Sequence, residues 1–504
     1  MARYCLATSA AECPDKVALI VVQDENAPQD AAEQWTYAQL DEAVRRISAA
    51  LLDSGLTPGD RLMIRLPNTS AYALLFFGAL AVGIVPLPAS SQLTAEEAGF
   101  LLTDSGARAI AIADELDMPT SNVRRFTSDE IEAMISYSRI ADYADTRADD
   151  PGYLVYTSGT SGSPKGVLHA HRAAWGRRPM YQGWYGIRSD DVVLHAGAFN
   201  WTYTLGVGLT DPWANGATTV LFTGKKDVQV WPLLLARYQA TLLAAVPSLY
   251  RQILKYCDLS DVSLEMFRHG LTAGEALSPA LLQGWREATA TNLYEALGMS
   301  ECSTYISTGP DMAIREGSPG KPQPGRVIAV LDADDTNKNE PLPPGRIGLL
   351  AIHRSDPGLM LGYWNRPDED AAVYRGDWFV GGDLARFDEE GYLWYEGRAD
   401  DVMNAMGYRV SPLEVETAIA SHPNVGEVGV CEIQVRSDVS IIAAFVVPVD
   451  PDDADAVSIL SHTADHLATY KQPREVVFVE TLPRSPNGKL LRRELAAAFS
   501  KTSG

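Results

Sequence analysis

Tyr156-Thr157-Ser158-Gly159-Thr160-Ser161-Gly162-Ser163-Pro164-Lys165-Gly166 is the stretch from which the rest of the chain is read. Its glycines let successive backbone N–H groups turn toward one anion, its hydroxyls add donors, and Lys165 adds a fixed positive charge. The apolar run Tyr153-Leu154-Val155-Tyr156 leads in like a buried strand, so the loop is expected to hang from a sheet edge. It is not a Walker loop, because Pro164 precedes the lysine where that motif requires glycine. The plain alternative is a flexible Ser/Gly linker. A linker rarely carries Lys-Gly and then runs straight into Val167-Leu168-His169.

Around this loop lies a chain of 504 residues, 46% hydrophobic and 21% charged, with ample material for a buried core and for more than one domain. The net charge of −23 argues against a nucleic-acid surface, which needs basic stripes. It also means that a polyanionic ligand must be held by locally placed cations. The five cysteines (Cys5, Cys13, Cys257, Cys302, Cys431) have no metal-ligand spacing and read as reduced thiols of a cytoplasmic protein. There is no apolar signal core at the N-terminus and no apolar run of roughly 18 residues, so neither export nor a membrane span is expected.

Upstream of the loop, Thr36 and Gln39 have the spacing of a capping box, and Leu40, Val44, Ile47 and Leu51 follow as one helical stripe. Strands at 61–66, 83–87 and 107–112 alternate with helices at 70–82 and from Ala95. The polar stretch 120–150 reads as a link between lobes. Downstream, strands at 192–195, 218–222, 241–246, 267–272 and 292–296 resume the alternation. The fold class is therefore α/β. A large N-terminal domain, 1–399, is expected to comprise two doubly wound lobes plus a small barrel-like β part over 325–396. A small mobile α+β C-terminal domain, 400–504, is expected to follow, with a helix after Pro412 and strands at 425–430, 441–447 and 476–479.

At these residues the chain resembles the adenylate-forming superfamily of acyl-CoA synthetases, peptide-synthetase adenylation domains and luciferases. The likeness extends from the phosphate loop to Lys489. The resemblance implies an AMP-forming acid–thiol ligase that uses ATP, Mg²⁺ and coenzyme A. In its terms Thr157, Ser158, Gly159, Thr160, Ser161, Gly162 and Lys165 hold phosphates. The Gly274-Glu275-Ala276 segment packs on adenine, with Glu295 and Ala296 beside it. In Tyr294-Glu295-Ala296-Leu297-Gly298-Met299-Ser300-Glu301, Ser300 stands where the family usually has Thr, and Glu301, helped by Thr160, binds the metal. Asp383 accepts the ribose hydroxyls, although Gly381 replaces the usual Thr or Ser before it, and Arg398 and Arg409 reach ribose and phosphate. Asp400 is the hinge about which the C-terminal domain rotates, and Gly407 and Tyr408 line the coenzyme A channel; Asn404 stands where many relatives have Lys. Lys489, in Leu482-Pro483-Arg484-Ser485-Pro486-Asn487-Gly488-Lys489, is the catalytic lysine of the lid and the residue a protein acetyltransferase would modify.

The acid would lie near Phe199, Asn200, Trp201, Tyr203 and Gly206. Gly298 replaces the Trp that closes the pocket of acetyl-CoA synthetases, which leaves room for a ring or a longer chain. Motif spacing looks most like the benzoate-CoA ligase branch. The expected substrate is an aromatic, alicyclic or medium-chain carboxylic acid, with no nucleic acid or membrane partner. Two rivals are a freestanding adenylation domain that loads a carrier protein and a non-catalytic nucleotide-binding sensor.

Overall fold

The structure, a computed structural model, describes residues 1–504 apart from 118–120, 158–163, 226, 400, 402, 406–407, 437–438, 468, 470, 485–489, 493 and 498–504. The side chains of residues 404, 405, 408, 409, 434, 436, 439 and 440 are likewise outside the described set. The chain divides into two compact units: Met1–Val327 with His353–Tyr374, and Ile328–Ile352 with Arg375–Gly504.

In the first unit the helix Tyr37–Asp53 begins at the expected capping box, with Thr36 and Gln39 each accepting from the other's backbone N–H. Its stripe of Leu40, Val44, Ile47 and Leu51 is buried. Helix Ser70–Ala81 packs so closely on it that a Cβ at Gly78 would lie 2.6 Å from the Ile47 side chain. Strands Val85–Pro88, Arg61–Arg65, Ala109–Ile112 and Arg124–Phe126 make a four-stranded parallel sheet in that order. The stretch expected to be a linker therefore contributes a strand. It also forms the helix Ser128–Ile135, which opens on a Thr127/Glu130 capping box and buries Ile131 and Met134.

The second sheet is nine-stranded. Its core runs Asn292–Met299, His269–Ala273, Leu242–Ala244, Val192–His195, Thr218–Phe222 and Val17–Val22, every neighbouring pair parallel. Five of these match the strands read from the sequence. The sixth comes from the start of the chain, so the expected partition into an early and a late lobe is incomplete: Val17–Val22 belongs to the later sheet.

The two segments that flank residues 158–163 pair with each other. Pro151–Thr157 runs antiparallel to Lys165–Ala170, with Thr157 opposite Lys165. Gly362–Tyr363 adds the third strand, with Tyr363 opposite Val167.

Beneath these sheets lies a buried ion pair. Arg177 donates to Asp211 at 2.7–3.0 Å, and Asp211 also accepts from the Tyr185 hydroxyl at 2.7 Å. Arg177 further donates to Ser303 Oγ, and neither member of the ion pair is open to solvent. The guanidinium ties the segment 202–211 to the strand that carries Ser303.

In the second unit, Ile328–Leu331, Gly348–His353, Trp378–Phe387 and Leu393–Arg398 belong to one β-sheet. Val425–Arg436, Val439–Pro448 and Glu475–Phe478 form a separate three-stranded sheet, accompanied by helices Pro412–Ala420 and Ala456–His466. Glu416 is buried there, accepting from Val430 N–H at 2.8 Å and from Arg492 at 2.7 and 2.8 Å. The segment after Gly488 falls partly outside the described residues.

Removing one partner of a buried pair strands the other charge, which costs about 3–5 kcal/mol. Asp211→Ala is therefore expected to lower the unfolding free energy of the full chain, measured by urea denaturation, by that amount. A double variant that replaces both charges with apolar residues should lose much less.

Candidate active site

The strand Asn292–Met299 ends in a tight turn that presents Glu301. Cys302 N–H donates to the Met299 carbonyl at 3.3 Å, and Ser303 takes a left-handed φ of +66°. A non-glycine residue in that region costs roughly 1–2 kcal/mol, and here it is held by the hydrogen bond to buried Arg177. The turn is fixed from outside as well. His169 Nε2 lies 2.8 Å from the Ser300 carbonyl, and Met360 N–H donates to the Glu301 carbonyl at 2.8 Å. Burial pushes the His169 imidazole down to about 4, so it is neutral at pH 7. Its contact with a carbonyl then requires the proton on Nε2. Its ring stacks on Tyr153 at 4.7 Å.

Glu301 Oε1 accepts from the Tyr363 hydroxyl at 2.7 Å. The same Tyr363 ring lies 5.4 Å beneath the Lys165 ammonium. Lys165 in turn forms an ion pair with Glu369. The structure thus brings Lys165 and Glu301 together through a tyrosine that the sequence reading had not singled out.

His269–Ala273 and Asn292–Met299 are paired with Ala273 opposite Ala296. The first strand leads into Gly274, whose φ of +95° and nearness to Trp201, 3.1 Å from where a Cβ would stand, both exclude a side chain. Glu275 is half-buried and Ala276 exposed. Glu295 lies just below, with Oε1 accepting from Leu277 N–H at 3.1 Å. Burial pushes its carboxyl up to about 8, against the pull of that one hydrogen bond.

Of the residues expected to line the acyl pocket, three are buried in packing contacts. Phe199 is buried against Tyr72 and His195, at 5.5 and 5.4 Å between ring centres, and Tyr203 is buried against Trp184 and Trp201. Gly206 faces inward: a Cβ there would collide with the Arg177 guanidinium. These three are packing residues. Asn200 and Trp201 are half-buried and Gly298 is exposed. Gly298 also has a second reason to be glycine, since a Cβ would fall 2.4 Å from the Ser303 carbonyl oxygen.

In the other unit Asp383 and Arg398 are register partners on adjacent strands. Asp383 Oδ1 accepts from Tyr395 at 3.1 Å and from Arg398 at 3.4 Å, and Arg398 also donates to the Gly381 carbonyl at 2.7 Å. The backbone of Tyr408 and Arg409 lies on the strand Tyr408–Val410. Ser158, Gly159, Thr160, Ser161, Gly162, Asp400, Gly407 and Lys489 lie outside the described residues.

Among the described residues no cluster of three or more His, Cys, Asp or Glu could hold a metal. That suits Mg²⁺, which keeps several waters and takes one or two carboxylates plus nucleotide phosphates. Also among the described residues, no helix is long and apolar enough to cross a membrane.

The chain matches the AMP-binding enzyme family over residues 6–364 and the AMP-binding enzyme C-terminal domain over residues 414–489. It belongs to the AMP-binding enzyme family. It is 31% identical over 488 residues to the benzoate–CoA ligase of Thauera aromatica, covering 93% of this chain and 92% of that one. It is 30% identical over 492 residues to an uncharacterized acyl–CoA ligase of Bacillus subtilis, covering 94% and 91%. Among solved structures, a benzoate CoA ligase from Burkholderia xenovorans LB400 superposes with a TM-score of 0.86 at 28% identity, over 98% of this chain and 99% of that one.

A carboxyl whose folded pKa is raised stabilises the fold fully below its unfolded pKa, near 4.3, and loses that contribution as pH rises through the folded value. For Glu295 the window runs from about 4.3 to about 8. Glu295→Gln keeps the acceptor for Leu277 and removes the titration. Its unfolding free energy, from urea denaturation, should match wild type near pH 4 and exceed it increasingly toward pH 8.5, by an amount on the order of a few kcal/mol.

Proposed function

We propose that this chain joins an aromatic, alicyclic or medium-chain carboxylic acid to coenzyme A through an acyl-adenylate. The observation that carries this reading is the convergence of Lys165, Tyr363 and Glu301 at the mouth of the loop hairpin, next to a nucleobase shelf formed by Gly274, Trp201 and Glu295. The carboxylate is already ionised at neutral pH, so no general base is needed. Its oxygen attacks the α-phosphorus, the bond to pyrophosphate breaks, and positioning with charge neutralisation lowers the barrier. The coenzyme A thiolate then attacks the acyl carbon and AMP leaves.

In this reading Lys165 and the loop residues Thr157, Ser158, Gly159, Thr160, Ser161 and Gly162 take the phosphates. Gly274, Glu275, Ala276, Glu295 and Ala296 take adenine. Asp383, Arg398 and Arg409 take ribose and phosphate. Glu301, with Thr160, would hold the Mg²⁺, which supplies charge neutralisation for the departing pyrophosphate. Asn200, Trp201 and Gly298 face the acid, and the accessible indole of Trp201 supports a flat substrate. Lys489 is assigned to the carboxylate and α-phosphate oxygens, with the 399/400 boundary, the Asp400 hinge and the Gly407–Tyr408 channel as parts of the same proposal.

Carboxylate-dependent ATP–pyrophosphate exchange across a panel of acids tests this reading. Benzoate-sized rings or medium chains should support exchange while acetate does not. Lys489→Ala should lower exchange at least ~100-fold with ATP binding retained. Exchange that is independent of added acid, or unaltered in the lysine variant, would contradict the assignment. A requirement for a carrier protein in place of coenzyme A in the second half-reaction would favour the carrier-loading alternative.

A further inference from the structure

Lys165, the cation of the phosphate loop, is already engaged by a carboxylate of its own chain. Glu369, on the short helix Pro367–Ala372, forms an ion pair with the ammonium; both side chains are partly buried, at 17% and 35% exposure. The helix is fixed in place. Arg366, immediately before it, donates to Asp104 at 2.5 Å, and Asp104 also accepts from the Tyr156 hydroxyl at 2.7 Å. Arg366 Nε lies 3.8 Å from the second Glu369 oxygen. The Glu369 carboxylate therefore stands between two cations, Lys165 and an arginine anchored to Asp104 on the helix Ala95–Ser105.

We infer that Glu369 is a positioning residue that occupies Lys165 until a polyphosphate arrives and then exchanges it for Arg366. The inference rests on the phosphate role given to Lys165 above. The ammonium lies over the Tyr363 ring, so carboxylate and aromatic face together hold it near Glu301 before nucleotide enters. A triphosphate competes for the same ammonium and repels Glu369. Arg366, already within ion-pair range, offers the displaced carboxylate a partner whose own anchor, Asp104, does not move. The exchange breaks one ion pair and strengthens another, with no covalent change. Glu369 thus weakens binding of the polyphosphates, ATP and pyrophosphate, while leaving AMP largely unaffected. In a chain of net charge −23, such a local counter-ion also keeps the loop lysine from collecting other anions.

The test is calorimetric titration of the full chain with a non-hydrolysable ATP analogue, pyrophosphate and AMP, in wild type and Glu369→Gln. The variant should bind the ATP analogue and pyrophosphate roughly three- to tenfold more tightly, with AMP changed less than about twofold and the wild-type difference shrinking at high salt. Glu369→Asp should fall between the two, which guards against a mere folding defect. Unchanged or weakened polyphosphate binding in Glu369→Gln, or equal tightening of AMP, would overturn the inference. Wild-type exchange activity would still stand in that case; failure of the ligase reading would instead abolish acid-dependent exchange in the wild-type chain.

Discussion

The antiparallel pairing of Thr157 with Lys165, and of Tyr363 with Val167, is the constraint from which the described part of the site follows. A strongly acidic chain can hold a triphosphate only where cations are fixed against the general repulsion, and a hairpin fixes both ends of its loop by backbone hydrogen bonds. The third strand then sets a tyrosine under the loop lysine and within hydrogen-bond reach of Glu301. Charge is thus placed by backbone register, which side-chain fluctuations do not alter. The turn carrying Glu301 is over-determined in the same way, by His169, Met360 and Ser303, and the left-handed Ser303 is stabilised by a guanidinium that is itself buried.

Much of this was legible in the sequence. The parallel strands of the large sheet read directly as short apolar runs separated by helical lengths, because a strand buried on both faces leaves a continuous apolar signature. Thr36 and Gln39 announced a helix start for a local reason that tertiary structure did not override. The strand Val17–Val22 escaped because its partner, Thr218–Phe222, lies some two hundred residues away and nothing local announces such a pairing. The stretch around Arg124–Phe126 looked like a linker because its polar residues dominate, although Thr127 and Glu130 carried a readable helix start.

The site divides along the same line. Lys165, Glu301, Glu295 and Gly274 stand in compact motifs that can be read locally. Tyr363 and Glu369 make contacts with Glu301 and Lys165, some sixty and two hundred positions distant in sequence respectively, and only Pro367 followed by Asp368, Glu369 and Asp370 marked a helix start there. Phe199, Tyr203 and Gly206 carry packing contacts that their local sequence does not announce. An aromatic segment near a predicted pocket was read as lining, whereas burial against Tyr72, Trp184 and Arg177 makes those three part of the scaffold.

A single isotope experiment bears hardest on the chemistry. If the acid's carboxylate attacks the α-phosphorus and the thiolate later expels the nucleotide, then benzoate labelled with oxygen-18 in its carboxyl group must deliver one labelled oxygen to AMP. Mass spectrometry of the products should find that label in AMP and none in inorganic phosphate or pyrophosphate. Label in inorganic phosphate with ADP as the nucleotide product, or AMP formed without label, would contradict activation through an acyl-adenylate.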